Sequence, residues 1–180
     1  MTSTITARAI RPDAVGRFLP DFVFRKLTDI PPSFFAERGL KLILLDFDNT
    51  MLPYTTNVPS RELLDWMERM KAAGITLCIV SNSRKARVPA FSETYGVACV
   101  TRAAKPDTRG IREAMERFGA KQSETALVGD QMYTDVLGAK RAGVTALIVK
   151  SIHNHTIWLK LRHLLEVPVL AMARKRRVQL

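Results

Sequence analysis

At 180 residues, 47% of them hydrophobic, the chain has the length of one ordinary domain and enough apolar content to bury a core. Its net charge of +11 is uneven: +3 over residues 1–45, +3 over 46–150 and +5 over the last thirty residues, a balance that favours phosphate-rich or anionic partners. Two cysteines in separate apolar runs argue against a disulfide scaffold or a zinc site, and no run approaches the roughly 18 apolar residues of a bilayer span. The expectation is a soluble, cytoplasmic protein, at most peripheral at the inner face of a membrane.

Residues 1–12 carry Ser, Thr and Arg without an acid and read as a tail, within an N-terminal extension (1–39) expected to pack on or near the core. From Leu40 onward, short apolar runs alternate with helix-period segments. "KLILLDF" predicts a first strand. "SRELLDWMERMKAAG" predicts a helix that starts behind Pro59-Ser60, carries Leu63, Leu64, Met67 and Met70 on one face, and stops at Gly74. "ITLCIVS" is a second strand, "RKARVPAFSETYG" a helix interrupted near Pro89, and "VACV" a third strand. "PDTRGIREAMERFG" is a helix, "TALVGD" a fourth strand, "YTDVLGAKRAG" a short helix and "VTALIVK" a fifth strand. Near-continuous Val/Ile/Leu strands separated by helices predict an α/β fold: a Rossmann-like, three-layer αβα core over 40–150 with a five-stranded, mainly parallel sheet. Residues 151–180 follow as a basic amphipathic segment.

In such a sheet the ligand crevice lies beyond the carboxyl ends of the strands. Those ends carry, in order, Asp46 and Asp48, then Ser81, then Lys105, then Asp130, with Asp135 five residues further on. Alternate strand residues point the same way, so Asp46 and Asp48 face one site while Phe47 turns into the core. Close carboxylates repel, and a cation such as Mg²⁺, which favours hard oxygen ligands and phosphate, is the natural partner of such a set. Read as ordinary turn formers, Asp48, Asn49 and Thr50 explain the turn but leave Asp46 at the end of an apolar strand unexplained.

The ordered set DFDNT, Ser81, Lys105-Pro106 and GDQMYTD resembles the four signature motifs of the haloacid-dehalogenase-like phosphohydrolases, over about residues 40–150. The lead-in "FLPDFVFRKLTDIPPSFFAERGLKLILLDFDNTMLP" and "VGDQMYTDVLGAKRAG" are similar to a capless, type III A subfamily that includes phosphatidylglycerophosphate phosphatases of bacteria and mitochondria. The resemblance implies phosphomonoester hydrolysis through an aspartyl-phosphate. Asp46 is then the nucleophile and Asp48 the proton donor and later base, while Ser81 and Lys105 hold the phosphoryl oxygens. Asn49, Thr50 and Asn82 are expected at the substrate. Mg²⁺ is expected on Asp46, the backbone carbonyl of Asp48, and Asp130, with Asp135 either supporting the metal shell or orienting Lys105. Asn49 stands where many members carry Gly; Asn also tolerates the turn.

The intervals from Asp46 to Ser81 and from Ser81 to Lys105 leave no room for an inserted cap once the elements are placed. An open site suits a phosphate on something large, and an anionic phospholipid is the expected substrate. Phe18, Phe22, Phe24, Phe34 and Phe35, and the segment "HNHTIWLKLRHLLEVPVLAMARKRR", suit either peripheral membrane contact or packing on the sheet. His153, His155 and His163 show no ligand pattern. Two other readings compete: a soluble phosphatase for a sugar or nucleotide monophosphate, and a basic nucleic-acid or assembly partner with a vestigial site. No specific nucleic acid is expected, and the oligomeric state is left open.

Overall fold

The structure, a computed structural model, describes residues 19–152. Six parallel strands form one sheet: β1 (Phe22–Phe24), β2 (Leu42–Leu45), β3 (Thr76–Val80), β4 (Ala98–Val100), β5 (Thr125–Gly129) and β6 (Thr145–Val149), in the order β1-β6-β5-β2-β3-β4. Helices α1 (Pro32–Ala36), α2 (Arg61–Ala72) and α3 (Arg87–Tyr95) contribute to one core cluster, and α4 (Arg109–Arg117) and α5 (Leu137–Ala142) to the other. Strand β2 shows why two cores exist. All four residues are buried, Ile43 and Leu45 in the first cluster and Leu42 and Leu44 in the second, as alternation across a doubly covered sheet requires.

The strand count corrects the expectation of five. β1 has only three residues and no alternation long enough to read, and it forms because a partner is waiting: Phe22, Val23 and Phe24 register against Leu147, Ile148 and Val149. Just before it, Asp21 donates its N–H to the Ala146 carbonyl (2.8 Å), accepts the Ala146 N–H on its carboxylate (2.8 Å) and pairs with Lys140. Phe22 and Phe24 meet the Phe34 ring edge-on at 4.9 and 5.1 Å, and the Arg38 guanidinium lies 4.0 Å over the same ring. Phe24, Phe34 and Phe35 are therefore core residues rather than a membrane-facing cluster. Phe18 and the segment 153–180, with its three histidines, lie outside the described residues.

Helix α2 begins as its sequence indicates, with the Ser60 side chain accepting the Leu63 N–H at 3.2 Å, and Gly74 follows it in the left-handed region at φ 73°. Its buried face is Leu63, Trp66, Met67 and Met70, so Trp66 takes the place expected for Leu64. The indole N–H donates to the Ile30 carbonyl at 2.8 Å, tying α2 to the segment before α1. Trp66→Phe strands that buried carbonyl and leaves a void, and should cost about 2 kcal/mol in denaturant-unfolding midpoint at unchanged slope. Pro89 does not interrupt α3. It sits in the first turn, where backbone N–H groups have no partner within the helix.

Candidate active site

The chain runs from β2 outward to β3 and β4, then crosses back to β5 and β6, so the order reverses between β2 and β5. A crevice at the carboxyl edge follows from that reversal. Asp46 leaves β2 with its N–H bonded to the Val128 carbonyl of β5 at 2.9 Å, and Asp130 leaves β5 beside it. Ser81 leaves β3, and Lys105 comes from the loop after β4. Asp135 arrives from a five-residue π turn, Met132–Val136, that leads into α5.

At the centre the Lys105 ammonium lies 2.7 Å from Asp46 Oδ1 and 2.8 Å from Asp135 Oδ1, with all three side chains buried. Burial works against the ammonium, but the Asp135 and Asp46 carboxylates outweigh it and hold Lys105 above the ordinary lysine range. Asp46, Asp130 and Asp135 each bring a carboxylate oxygen within 4.8 Å of the others. Burial, opposed by Lys105 and reinforced by the neighbouring carboxylates, pushes Asp46 up to about 7. Burial and Asp135 push Asp130 up to about 6. Among the described residues one buried cation thus faces three buried carboxylates, and Asp130 Oδ2 finds no hydrogen-bond partner. A hard divalent cation fits this donor set in both charge and ligand type.

The remaining expected residues divide by task. Ser81 Oγ accepts the Ser83 N–H at 3.1 Å, and the hydroxyl keeps its own proton as a donor. Thr50 Oγ1 lies 3.4 Å from Asp46 Oδ2 and 3.5 Å from Asp130 Oδ1. Asn49 adopts φ 63°, and among the described residues its buried side-chain amide finds no partner on either end. Asn82 turns both ends of its amide to the Lys105 backbone, accepting the N–H at 2.7 Å and donating to the carbonyl at 2.9 Å. Both bonds tie its side chain to the backbone of Lys105.

Asp48 does not share Lys105 with Asp46 in direct contact; its Oδ1 pairs with Arg87 at 3.0 Å. Burial raises Asp48 above the ordinary carboxylate range while Arg87 opposes the shift. Arg87 escaped the sequence reading because it lies 39 positions away, at the start of a helix, amid other basic residues. Ser151, just past β6, carries no motif signal; it is buried, and its hydroxyl finds no hydrogen-bond partner among the described residues.

Gly129, too, carries no sequence signal of its place in the site. A Cβ there would lie 2.3 Å from the Asp135 carboxylate, so the last residue of β5 must be glycine for Asp135 to reach Lys105 and to accept the Gln131 N–H at 3.0 Å. Gly129→Ala should push that carboxylate off Lys105 and lower kcat about a hundredfold. A variant that turned over at the wild-type rate would remove Asp135 from the site.

A parallel αβα sheet with carboxylates, a lysine and a serine converging beyond its strand ends has the charges and donors that phosphoryl transfer requires. The chain matches the haloacid dehalogenase-like hydrolase family over residues 54–143. It is 36% identical over 132 residues to the probable phosphatase YqeG of Bacillus subtilis (strain 168), covering 73% of this chain and 77% of that one. It is 26% identical over 144 residues to phosphatidylglycerophosphate phosphatase 1, chloroplastic/mitochondrial, of Arabidopsis thaliana, covering 73% of this chain but 40% of that relative. An uncharacterized protein from Listeria monocytogenes serotype 4b superposes with a TM-score of 0.51 at 16% identity, over 76% of this chain and 99% of that one, and shares the fold. The chain belongs to the haloacid dehalogenase-like hydrolase family, and it is a phosphatase.

Proposed function

We propose that this phosphatase is a Mg²⁺-dependent phosphomonoesterase working through an aspartyl-phosphate on Asp46, and that its substrate is phosphatidylglycerophosphate. The observation that carries the catalytic reading is the buried cluster in which Lys105 bridges Asp46 and Asp135 beside Asp130. Asp46 attacks phosphorus, the ester P–O bond breaks, and Asp48 gives its proton to the departing oxygen. Asp48 then takes a proton from water, which attacks the acyl phosphate, releasing inorganic phosphate and restoring the Asp46 carboxylate. Ser81 and Lys105 donate to the phosphoryl oxygens, and Asn82 holds Lys105 in place through its backbone. Asp46, Asp130 and the Asp48 carbonyl would hold Mg²⁺, with Asp135 in support; bound there, it would keep Asp46 ionised at neutral pH and offset phosphoryl charge.

The lipid assignment is supported by the open edge of the sheet. Between Asp46 and Ser81 the chain forms only a loop, α2 and β3, and between Ser81 and Lys105 only α3 and β4, so neither interval holds a cap. The Arabidopsis relative's name and the basic segment 151–180 point the same way, the latter as a contact for an anionic membrane. Among the described residues no helix is long and apolar enough to cross a membrane.

The test is phosphate release from phosphatidylglycerophosphate vesicles and from a panel of water-soluble sugar, nucleotide and triose phosphates, with Mg²⁺ and with chelator. The expected result is turnover of the lipid that chelation stops. High kcat/KM on a soluble ester with none on vesicles would overturn the lipid assignment and leave the catalytic one standing.

A further inference from the structure

Arg87 is held by more groups than a surface arginine needs. Its NH1 donates to Asp48 Oδ1 at 3.0 Å and lies 3.4 Å from the Tyr54 carbonyl. Its NH2 donates to the carbonyls of Pro53 at 3.0 Å and Thr56 at 2.6 Å. The guanidinium lies 5.1 Å over the Phe47 ring, and Phe47 in turn packs on Phe91, one turn further along α3, at 5.3 Å. Only 9% of the Arg87 side chain is exposed, and 10% of that of Asp48. Helix α3 therefore grips the residue between the two strand-end aspartates through one ring, and the second aspartate through a fork that is also tied to the loop 53–56.

We propose that Arg87 is the positioning residue for proton transfer: it locks Asp48 and the 53–56 loop into one unit at the mouth of the site, aiming the carboxyl at the leaving oxygen. This rests on the reading of Asp48 as proton donor. With Oδ1 held by the guanidinium, Oδ2 carries the proton, delivers it to the oxygen leaving phosphorus, and is recharged from the attacking water. A planar fork can satisfy a carboxylate and two carbonyls together, which the point charge of a lysine cannot.

The test exploits leaving-group basicity. An alkoxide needs a proton to leave and p-nitrophenolate does not. kcat/KM includes steps only through departure of the leaving group, so slower hydrolysis of the aspartyl-phosphate does not enter it. Arg87→Ala should lower kcat/KM about a hundredfold on the best alkyl phosphomonoester of the panel and within about threefold on p-nitrophenyl phosphate. Arg87→Lys should recover little, whereas guanidinium added to the alanine variant at sub-denaturing concentration should recover part of the loss. Should the alanine variant not fold, Arg87→Lys carries the same comparison. Equal losses on both esters, or no loss, would overturn the assignment. Asp48→Asn separates the two ideas: if it shows the leaving-group dependence and Arg87→Ala does not, only the role of Arg87 fails. If Asp48→Asn loses equally on both esters, Asp48 is not the proton donor and the role of Arg87 falls with it.

Discussion

Asp46→Asn should reduce phosphate release about 10⁴-fold while leaving the protein as stable as wild type or more so. The loss follows from the role assigned to Asp46: an amide oxygen in the same place is not a nucleophile for phosphorus. The stability follows from its surroundings. Burial and the Asp135 and Asp130 charges already disfavour the Asp46 carboxylate, so a neutral isostere removes repulsion from the cluster. Lys105 meanwhile keeps its 2.8 Å contact to Asp135. Phosphate release assayed beside a thermal melt separates the two effects. Turnover at the wild-type rate would rule out the aspartyl-phosphate.

Lys105→Met should be the opposite kind of variant, costly to both activity and fold. It keeps the buried stem but removes the cation that contacts Asp46 and Asp135, and breaking a buried pair from one side costs about 3–5 kcal/mol. The loss should depend on pH, and its sign can be worked out. A carboxyl whose folded-state pKa lies above its unfolded value binds more protons folded than unfolded, so stability is full at low pH and declines as pH rises between the two values. In the wild type without divalent cation that window runs from the ordinary 3.8 to about 7 for Asp46 and to about 6 for Asp130. Because Lys105 lowers Asp46 and Asp130, its removal raises both further and steepens the decline. Denaturant midpoints in chelator should therefore fall from pH 5 to pH 8, more in Lys105→Met than in wild type, and added Mg²⁺ should recover part of the difference at pH 8. A midpoint flat across that range would mean that the carboxylates are not mutually strained. Phosphate release should drop about a hundredfold as the phosphoryl oxygens lose their buried cation.

The geometry also separates what was legible in the chain from what was not. Strand-end residues were legible because a doubly covered parallel strand is almost wholly apolar, so a polar residue at its end stands out: Asp46 after LILL, Ser81 after TLCIV and Asp130 after TALVG. Asp135 and Lys105 were legible only through motif order, since a turn and a loop deliver them and no periodicity marks either. Trp66 and Leu64 both lie near the apolar stripe of α2, and which of them is buried depends on where the Ile30 carbonyl sits. Pro89 suggested a break only because the start of α3 could not be located to within a turn.

By itself the sequence determined the alternation of strands and helices, the carboxylates at the strand ends and the short intervals between Asp46, Ser81 and Lys105, because each depends on neighbours within a few residues or on interval length. Only the tertiary structure decided that Phe22–Phe24 is a sixth strand, that Asp46 and Asp48 take different cations, and that Gly129 is bare to admit Asp135. Each of these depends on a partner far along the chain. Arg87 reaches Asp48 across 39 positions and Lys105 reaches Asp46 across 59, distances over which local propensity carries no information and packing alone chooses the contact.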